Sequence, residues 1–264
     1  MKNILVPIGS VEGGSNGLRY AVNFATLTGA KVYLVNVYKE FSKVAGLTKV
    51  NQLMMEDSEE MLNDVMKDVD MQGVEVIAKP LKGVTFEAID RLSKRLDIDL
   101  IILSPQSVEK NAILYLGSVT GKIVKQTDIP ILIVPKNYLF RKPETILLAF
   151  KRAYFEKDDV LDPLKDMASV FNAKISLLHV KTPDTVGDNT PMSKDLLSLN
   201  SVITESENAT IFQGVLEHFQ SHNPDILCVL RRKRGFFQKL WEKNSILKKE
   251  FHTSKPLLIL RGQE

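Results

Sequence analysis

Residues 29–37 read GAKVYLVNV, and residues 172–180 read NAKISLLHV. Each stretch opens on a turn-forming residue and runs into aliphatic and β-branched side chains with little polar alternation. A strand looks like this when helices cover both faces of its sheet. Working outward from the first copy, further strands are predicted at residues 3–7, 74–80, 100–104 and 131–134, with the quoted one spanning 32–37. Between them the apolar residues fall at helical spacing. Leu18, Ala21, Val22, Ala25 and Leu27 make one face, and Phe86, Ala88, Ile89 and Leu92 another. Residues 52–69 form a long acidic amphipathic stretch, and 119–126 a short last helix. Strands alternating with longer helices predict βαβ units and a parallel sheet. Residues 10–16 and 41–48 read as polar connectors, the former a flexible turn with Ser15 or Asn16 capping the first helix.

The second half of the chain repeats this plan. TILLAF at 145–150 echoes NILVP at 3–7, DILCVL at 225–230 echoes DLIILS at 99–104, and KPLLIL at 255–260 echoes IPILIV at 129–134. Together with the quoted pair, four matches in the same order mean an internal duplication. The expected domains are 1–137 and 143–264, with the linker 136–142 flanked by Pro135 and Pro143. The second copy is shorter between its second and fourth strands, where the acidic helix is cut to a polar stretch around residues 184–193.

Composition narrows the function classes. Of 264 residues, 44% are hydrophobic and 25% charged, which excludes a disordered chain. No stretch approaches the roughly 18 apolar residues of a membrane span. Cys228 is the single cysteine, so a disulfide framework is excluded and a reducing compartment is expected. Met1-Lys2-Asn3 leads straight into a strand, which predicts no signal peptide and a cytoplasmic location. A net charge of +3 does not by itself imply nucleic acid, and a nucleic-acid partner is not expected.

A strand ending ILVP, a second strand closing V-N-V or L-H-V after GAKV or NAKI, a D-L-I-I-L strand, then G-S-V-T and a last strand after I-P resemble the universal stress protein family. The resemblance covers nearly the whole chain as two tandem copies. It implies an α/β fold class of two tandem doubly wound (Rossmann-like) five-stranded parallel-sheet domains forming an internal pseudo-dimer, with edge strands 131–134 and 257–260 as the expected contact. Unpaired apolar edges would otherwise be a liability. A ligand crevice is then expected at the carboxyl ends of the strands, where the strand order reverses.

Nucleotide-binding members of that family carry Gly-x-x-Gly, nine residues, then Gly-Ser after the fourth strand. The glycines let backbone amides approach phosphates, and the Gly-Ser opens a helix whose N-terminus favours negative charge. The matching positions here are Ser104, Ser107, Gly117 and Ser118, with the spacing intact and both leading glycines replaced. Such members also have an Asp just after the first strand, and Gly9 stands in its place. Gly117, Ser118, Val119 and Thr120 remain able to hold a phosphate, or equally to form an ordinary helix cap. Pro7, Ile8, Gly9 and Val35 complete the candidate nucleotide site, whose ligand would be ATP or another adenine nucleotide. In the second copy Arg231 and Arg234 are aligned with the two glycines, Asn244 and Ser245 with Gly-Ser, and Phe150 or Lys151 with the Asp region. No ordinary phosphate loop is expected there.

Other constellations are weaker. Arg231, Arg232, Lys233 and Arg234, followed by Phe236, Phe237 and Trp241, form a candidate anion- or partner-binding segment, against the plainer reading of a solvated charge run. His218 and His222 share a helix face but lack further ligands in the sequence, and no metal is expected. The residues after Gly117 have one residue too few for a P-loop. His179 and Cys228 read as structural. No nucleophile–base pair is suggested, so an enzyme is not expected. The expectation is a non-catalytic cytoplasmic stress-response scaffold or regulator with a protein partner. The alternative is a regulatory nucleotide-binding protein using the first copy. Either form has room for further homodimerisation.

Overall fold

A computed structural model of the chain describes residues 1–39, 48–104, 123–124, 126–155, 159–183, 185, 190–231 and 255–261. The chain divides into two compact units, with the change from the first to the second between Phe140 and Arg141. In the first unit, β1 (Asn3–Ile8), α1 (Val11–Thr28), β2 (Lys31–Tyr38), α2 (Thr48–Asp68), β3 (Val76–Lys82), α3 (Thr85–Arg95), β4 (Leu100–Leu103) and β5 (Ile131–Ile133) follow in order. The strands lie β3-β2-β1-β4-β5, and every described pairing among them is parallel. The chain therefore winds outward from β1 on one side and then from β4 on the other, so the order reverses between β1 and β4.

The second unit repeats this with β6 (Thr145–Phe150), α4 (Asp162–Phe171), β7 (Lys174–Lys181), α5 (Lys194–Leu197), β8 (Ile203–Glu207), α6 (Ile211–His222), β9 (Ile226–Leu230) and β10 (Leu257–Leu260). Its order, β8-β7-β6-β9-β10, is the same doubly wound arrangement. The fold class read from the sequence is the one observed in each unit.

The central strands are apolar throughout because helices bury both of their faces. Ile4, Leu5, Val6 and Leu100–Leu103 are almost wholly buried, as are Ile146, Leu147, Leu148, Ile226 and Cys228 in the second copy. Each fully buried side chain of this size contributes roughly 1.5–3 kcal/mol. The first residue of each repeated stretch has a backbone reason. Gly29 ends α1 at φ 70° and Asn172 ends α4 at φ 54°, and glycine and asparagine are the residues that take the left-handed cap most readily. A second shared device ties strand starts together. The Asp99 carboxylate accepts from the Lys2 and Asn3 amides at 2.6 and 2.9 Å, and the Asp225 carboxylate accepts from those of Glu144 and Thr145, both at 2.9 Å.

Several sequence expectations change. Residues 10–16 are not a connector: Ser10 accepts from the Gly13 amide at 3.3 Å, and α1 begins at Val11. Gly13 and Gly14 suggested a turn, yet Gly14 is helical because α1 passes close to its neighbours. A Cβ there would sit 2.9 Å from Val65 and 3.0 Å from Ile8. The third strand starts two residues later than predicted, at Val76. Strand β8 is short and mostly polar, which hides it in the sequence, whereas α4 has Leu164, Met167, Ala168 and Phe171 at helical spacing, a signal that was present and not used. The expected linker is partly docked on its own unit. Phe140 meets Tyr20 edge-on at 5.0 Å, Tyr138 lies 6.3 Å from the same ring, and Lys136 pairs with Glu12 at 2.8 Å.

Candidate ligand crevice at the carboxyl ends of the strands

In a doubly wound sheet the crevice opens where the order reverses, here beside the ends of β1 and β4. Pro7 and Ile8 end β1, in register with Val35 and Asn36 of β2. Gly9 follows, exposed, with ordinary backbone torsions and no heavy atom within 4 Å of where a Cβ would stand. The position is open, and no carboxylate occupies it. Val35 is 1% exposed, buried like its neighbours Leu34 and Asn36 because helices cover both faces of the sheet. Its side chain packs in the core beside the end of β1.

Ser104 is brought to the crevice and its hydroxyl is held in place there. Its Oγ accepts from Asn16 Nδ2 at 2.7 Å, and the same Asn16 amide reaches the Pro135 carbonyl at 3.2 Å. One side chain of α1 thus ties the residue after β4 to the chain leaving β5. Asn36 does similar work at the end of β2. It donates to the Ile8 carbonyl at 2.9 Å and accepts from Ser58 of α2 at 2.7 Å. The sequence offered Asn16 as a helix cap and Asn36 as part of V-N-V, and neither reading placed these cross-chain bonds. Ser107, Gly117, Ser118, Val119 and Thr120 lie outside the described residues.

The second copy has different chemistry at the matching edge. Phe150 pairs with His179 as Ile8 pairs with Asn36, so Lys151 is the residue that takes Gly9's place. The His179 ring stacks on Phe150 at 5.1 Å, its Nε2 lies 3.1 Å from the Lys151 carbonyl, and its Nδ1 is 3.6 Å from Glu205. Lys181 donates to Glu205 at 2.7 Å and, with that hydrogen bond as the main cause, holds its carboxyl below the ordinary range. The register also corrects the loop alignment. Leu100 and Ile226 occupy equivalent places beside Ile4 and Ile146, so Leu230 rather than Arg231 matches Ser104. Arg231 follows, its amide bonded to the Leu260 carbonyl at 2.8 Å, while Arg232, Lys233 and Arg234 lie outside the described residues.

His218 and His222 do share a face of α6, with ring centroids 6.0 Å apart. His222 uses both nitrogens within the protein, Nδ1 with the His218 carbonyl at 2.9 Å and Nε2 with Thr204 at 3.2 Å. Among the described residues no group of three ligating side chains could hold a metal ion. Cys228 is buried, and burial pushes its thiol above the ordinary range. Among the described residues no helix is long and apolar enough to cross a membrane.

Fold and crevice define a tandem pair of doubly wound α/β domains. The universal stress protein family model matches residues 1–135, and the chain belongs to that family. A universal stress protein of Methanocaldococcus jannaschii is 26% identical over 141 residues, covering 51% of this chain and 82% of that protein. A second from the same organism is 25% identical over 155 residues, covering 52% and 96%. A solved universal stress protein from Archaeoglobus fulgidus has a similar fold along nearly its whole length, with TM-score 0.71, 17% identity and coverage of 99% and 98%.

Proposed function

We propose that this chain is a non-catalytic stress-response regulator in the cytoplasm that works through a protein partner rather than through bound nucleotide. The observation that carries this reading is the state of the first crevice: Gly9 supplies no carboxylate, and the Ser104 hydroxyl is already bonded to Asn16. The Asn16 bond takes one acceptor site of that hydroxyl and leaves its O–H able to donate, so the reading rests chiefly on the missing carboxylate. The basic segment Arg231, Arg232, Lys233 and Arg234 is the proposed partner surface, and it accounts for the positive net charge of the chain.

The second reading, adenine-nucleotide binding in the first copy, is favoured by the retained Gly117-Ser118-Val119-Thr120 and the open space at Gly9. The two readings separate cleanly. Purified protein is denatured and the supernatant examined by mass spectrometry, and its melting is followed with millimolar ATP. The regulator reading expects no released nucleotide and no thermal shift; stoichiometric release overturns it. Replacing the four cations 231–234 by serine is expected to abolish partner capture, and capture at wild-type strength would remove the basic segment from the proposal.

A further inference from the structure

The strand registers of the second unit line up three cations. Ala149 of β6 faces Val229 of β9, and Leu260 of β10 faces Leu230 of β9. Carried just past the strand ends, the same registers put Lys151, Arg231 and Arg261 in one row across three adjacent strands. The ladder reaches that row, since the Arg231 amide donates to the Leu260 carbonyl at 2.8 Å. Neighbouring strands lie about 4.8 Å apart, so the row spans about 10 Å. Arg152 follows Lys151 and is exposed, as is Arg261. Lys181, at the end of β7, is held by Glu205 and does not belong to the set.

The first unit carries no charge at the equivalent places. Its registers put Gly9 where Lys151 stands and Pro135 where Arg261 stands. The two units share one topology, so the fold closes equally well with glycine and proline there and does not require cations. Their position is that of a ligand crevice. The strand order of the second unit reverses between β6 and β9, and Lys151 and Arg231 follow those two strands. Among the carboxylates at this end, Glu205 is engaged by Lys181, and Asp195 by Lys165 and the Leu161 amide.

A concave site lined by one sign of charge focuses its field and concentrates counter-ions. Arginine meets phosphate oxygens with a planar fork of donors, and lysine meets them as a point charge. A single phosphate reaches one or two members of such a row, whereas linked phosphates present an oxyanion to each of them at once. We propose that Lys151, Arg231 and Arg261, with Arg152 beside them, bind a base-free polyphosphate, of which inorganic tripolyphosphate is the simplest. The proposal rests on the position and sign of these residues. It is independent of the partner reading, with which it shares Arg231 alone, and the variants below leave residues 231–234 intact.

The full chain is titrated with sodium tripolyphosphate by calorimetry in physiological salt. One tripolyphosphate is expected to bind per chain, and no binding at millimolar concentration overturns the proposal. Lys151→Ser combined with Arg261→Ser is expected to weaken binding at least about tenfold, the worth of one charge-assisted hydrogen bond. Lys174→Ser combined with Lys255→Ser removes the same charge from the opposite, amino-terminal ends of the same sheet. Its effect is expected to stay below about twofold, as for screened charges beyond a Debye length. Equal losses in the two double variants mean attraction to net charge alone and overturn the site. ATP in competition is expected to displace tripolyphosphate no better than unlabelled tripolyphosphate does. Displacement at about tenfold lower concentration makes the ligand a nucleotide and overturns the proposal. Should the first double variant fold poorly, Arg261→Gln, at an exposed residue past the last strand, is expected to weaken binding at least about threefold by itself. Unchanged affinity in that variant overturns the proposal.

Discussion

Two glycines five residues apart do opposite work. Gly14 is required by packing, since a Cβ would lie 2.9 Å from Val65 and 3.0 Å from Ile8. Helix propensity alone favours alanine there by about 1 kcal/mol. Overpacking of about 1–3 kcal/mol opposes it and wins. Gly14→Ala is therefore expected to lower the urea midpoint, and a stabilised variant would refute the close approach. Gly9 meets nothing, so Gly9→Asp is expected to change stability by less than about 0.5 kcal/mol, as for other unconstrained surface sites. If the first copy retains nucleotide affinity, the added carboxylate should enlarge the ATP-induced thermal shift. Cys228, buried and with its thiol pushed up by desolvation, is expected to resist a thiol reagent at pH 8 until the protein is unfolded. Glu205 titrates the other way. Its carboxyl is held low by Lys181, so its small stabilising contribution is present above the ordinary glutamate range and fades as pH falls through the lowered value.

Elements begin and end where single side chains decide. Ser10 caps α1 and Thr210 caps α6, each accepting from the amide three residues on, at 3.3 and 3.2 Å. Replacing either by alanine is expected to cost about 1 kcal/mol in denaturant unfolding. The aspartates that start β4 and β9 hold more. Asp99→Ala and Asp225→Ala each remove the acceptor of the first strand amide and of the exposed amide before it, and are expected to cost about 0.5–1.5 kcal/mol. An unchanged midpoint for both would show that water replaces the carboxylate. These two aspartates opened the repeated D-L-I-I-L and D-I-L-C-V-L runs, so the duplication was legible at the level of elements. Ser10 was missed as a cap because two glycines behind it imitated a turn, and only the approach of α2 to α1 explains a helix through them.

At the scale of the molecule, the first unit includes the residues just beyond its last strand. Asn16 bonds the Pro135 carbonyl, and Tyr20 carries Tyr138 and Phe140. A fragment ending at Phe140 is expected to unfold in one cooperative transition, as followed by circular dichroism. A fragment ending at Val134 loses those contacts and should melt lower. Equal midpoints would return residues 135–140 to the role of a passive linker.

The sequence by itself determined the duplication, the doubly wound topology and the loss of glycines and carboxylate. The duplication follows from residue identity and local periodicity; the topology, the lost glycines and the lost carboxylate follow from the resemblance of those residues to the universal stress protein family. Tertiary structure decided what the remaining side chains do. Ser104 looks free in sequence and is bonded by Asn16, 88 residues away; the Val35 side chain is packed in the core. Asp195 looks like a surface charge and is the buried partner of α4. Each of these roles is set by a group distant along the chain, so only the folded arrangement makes it visible.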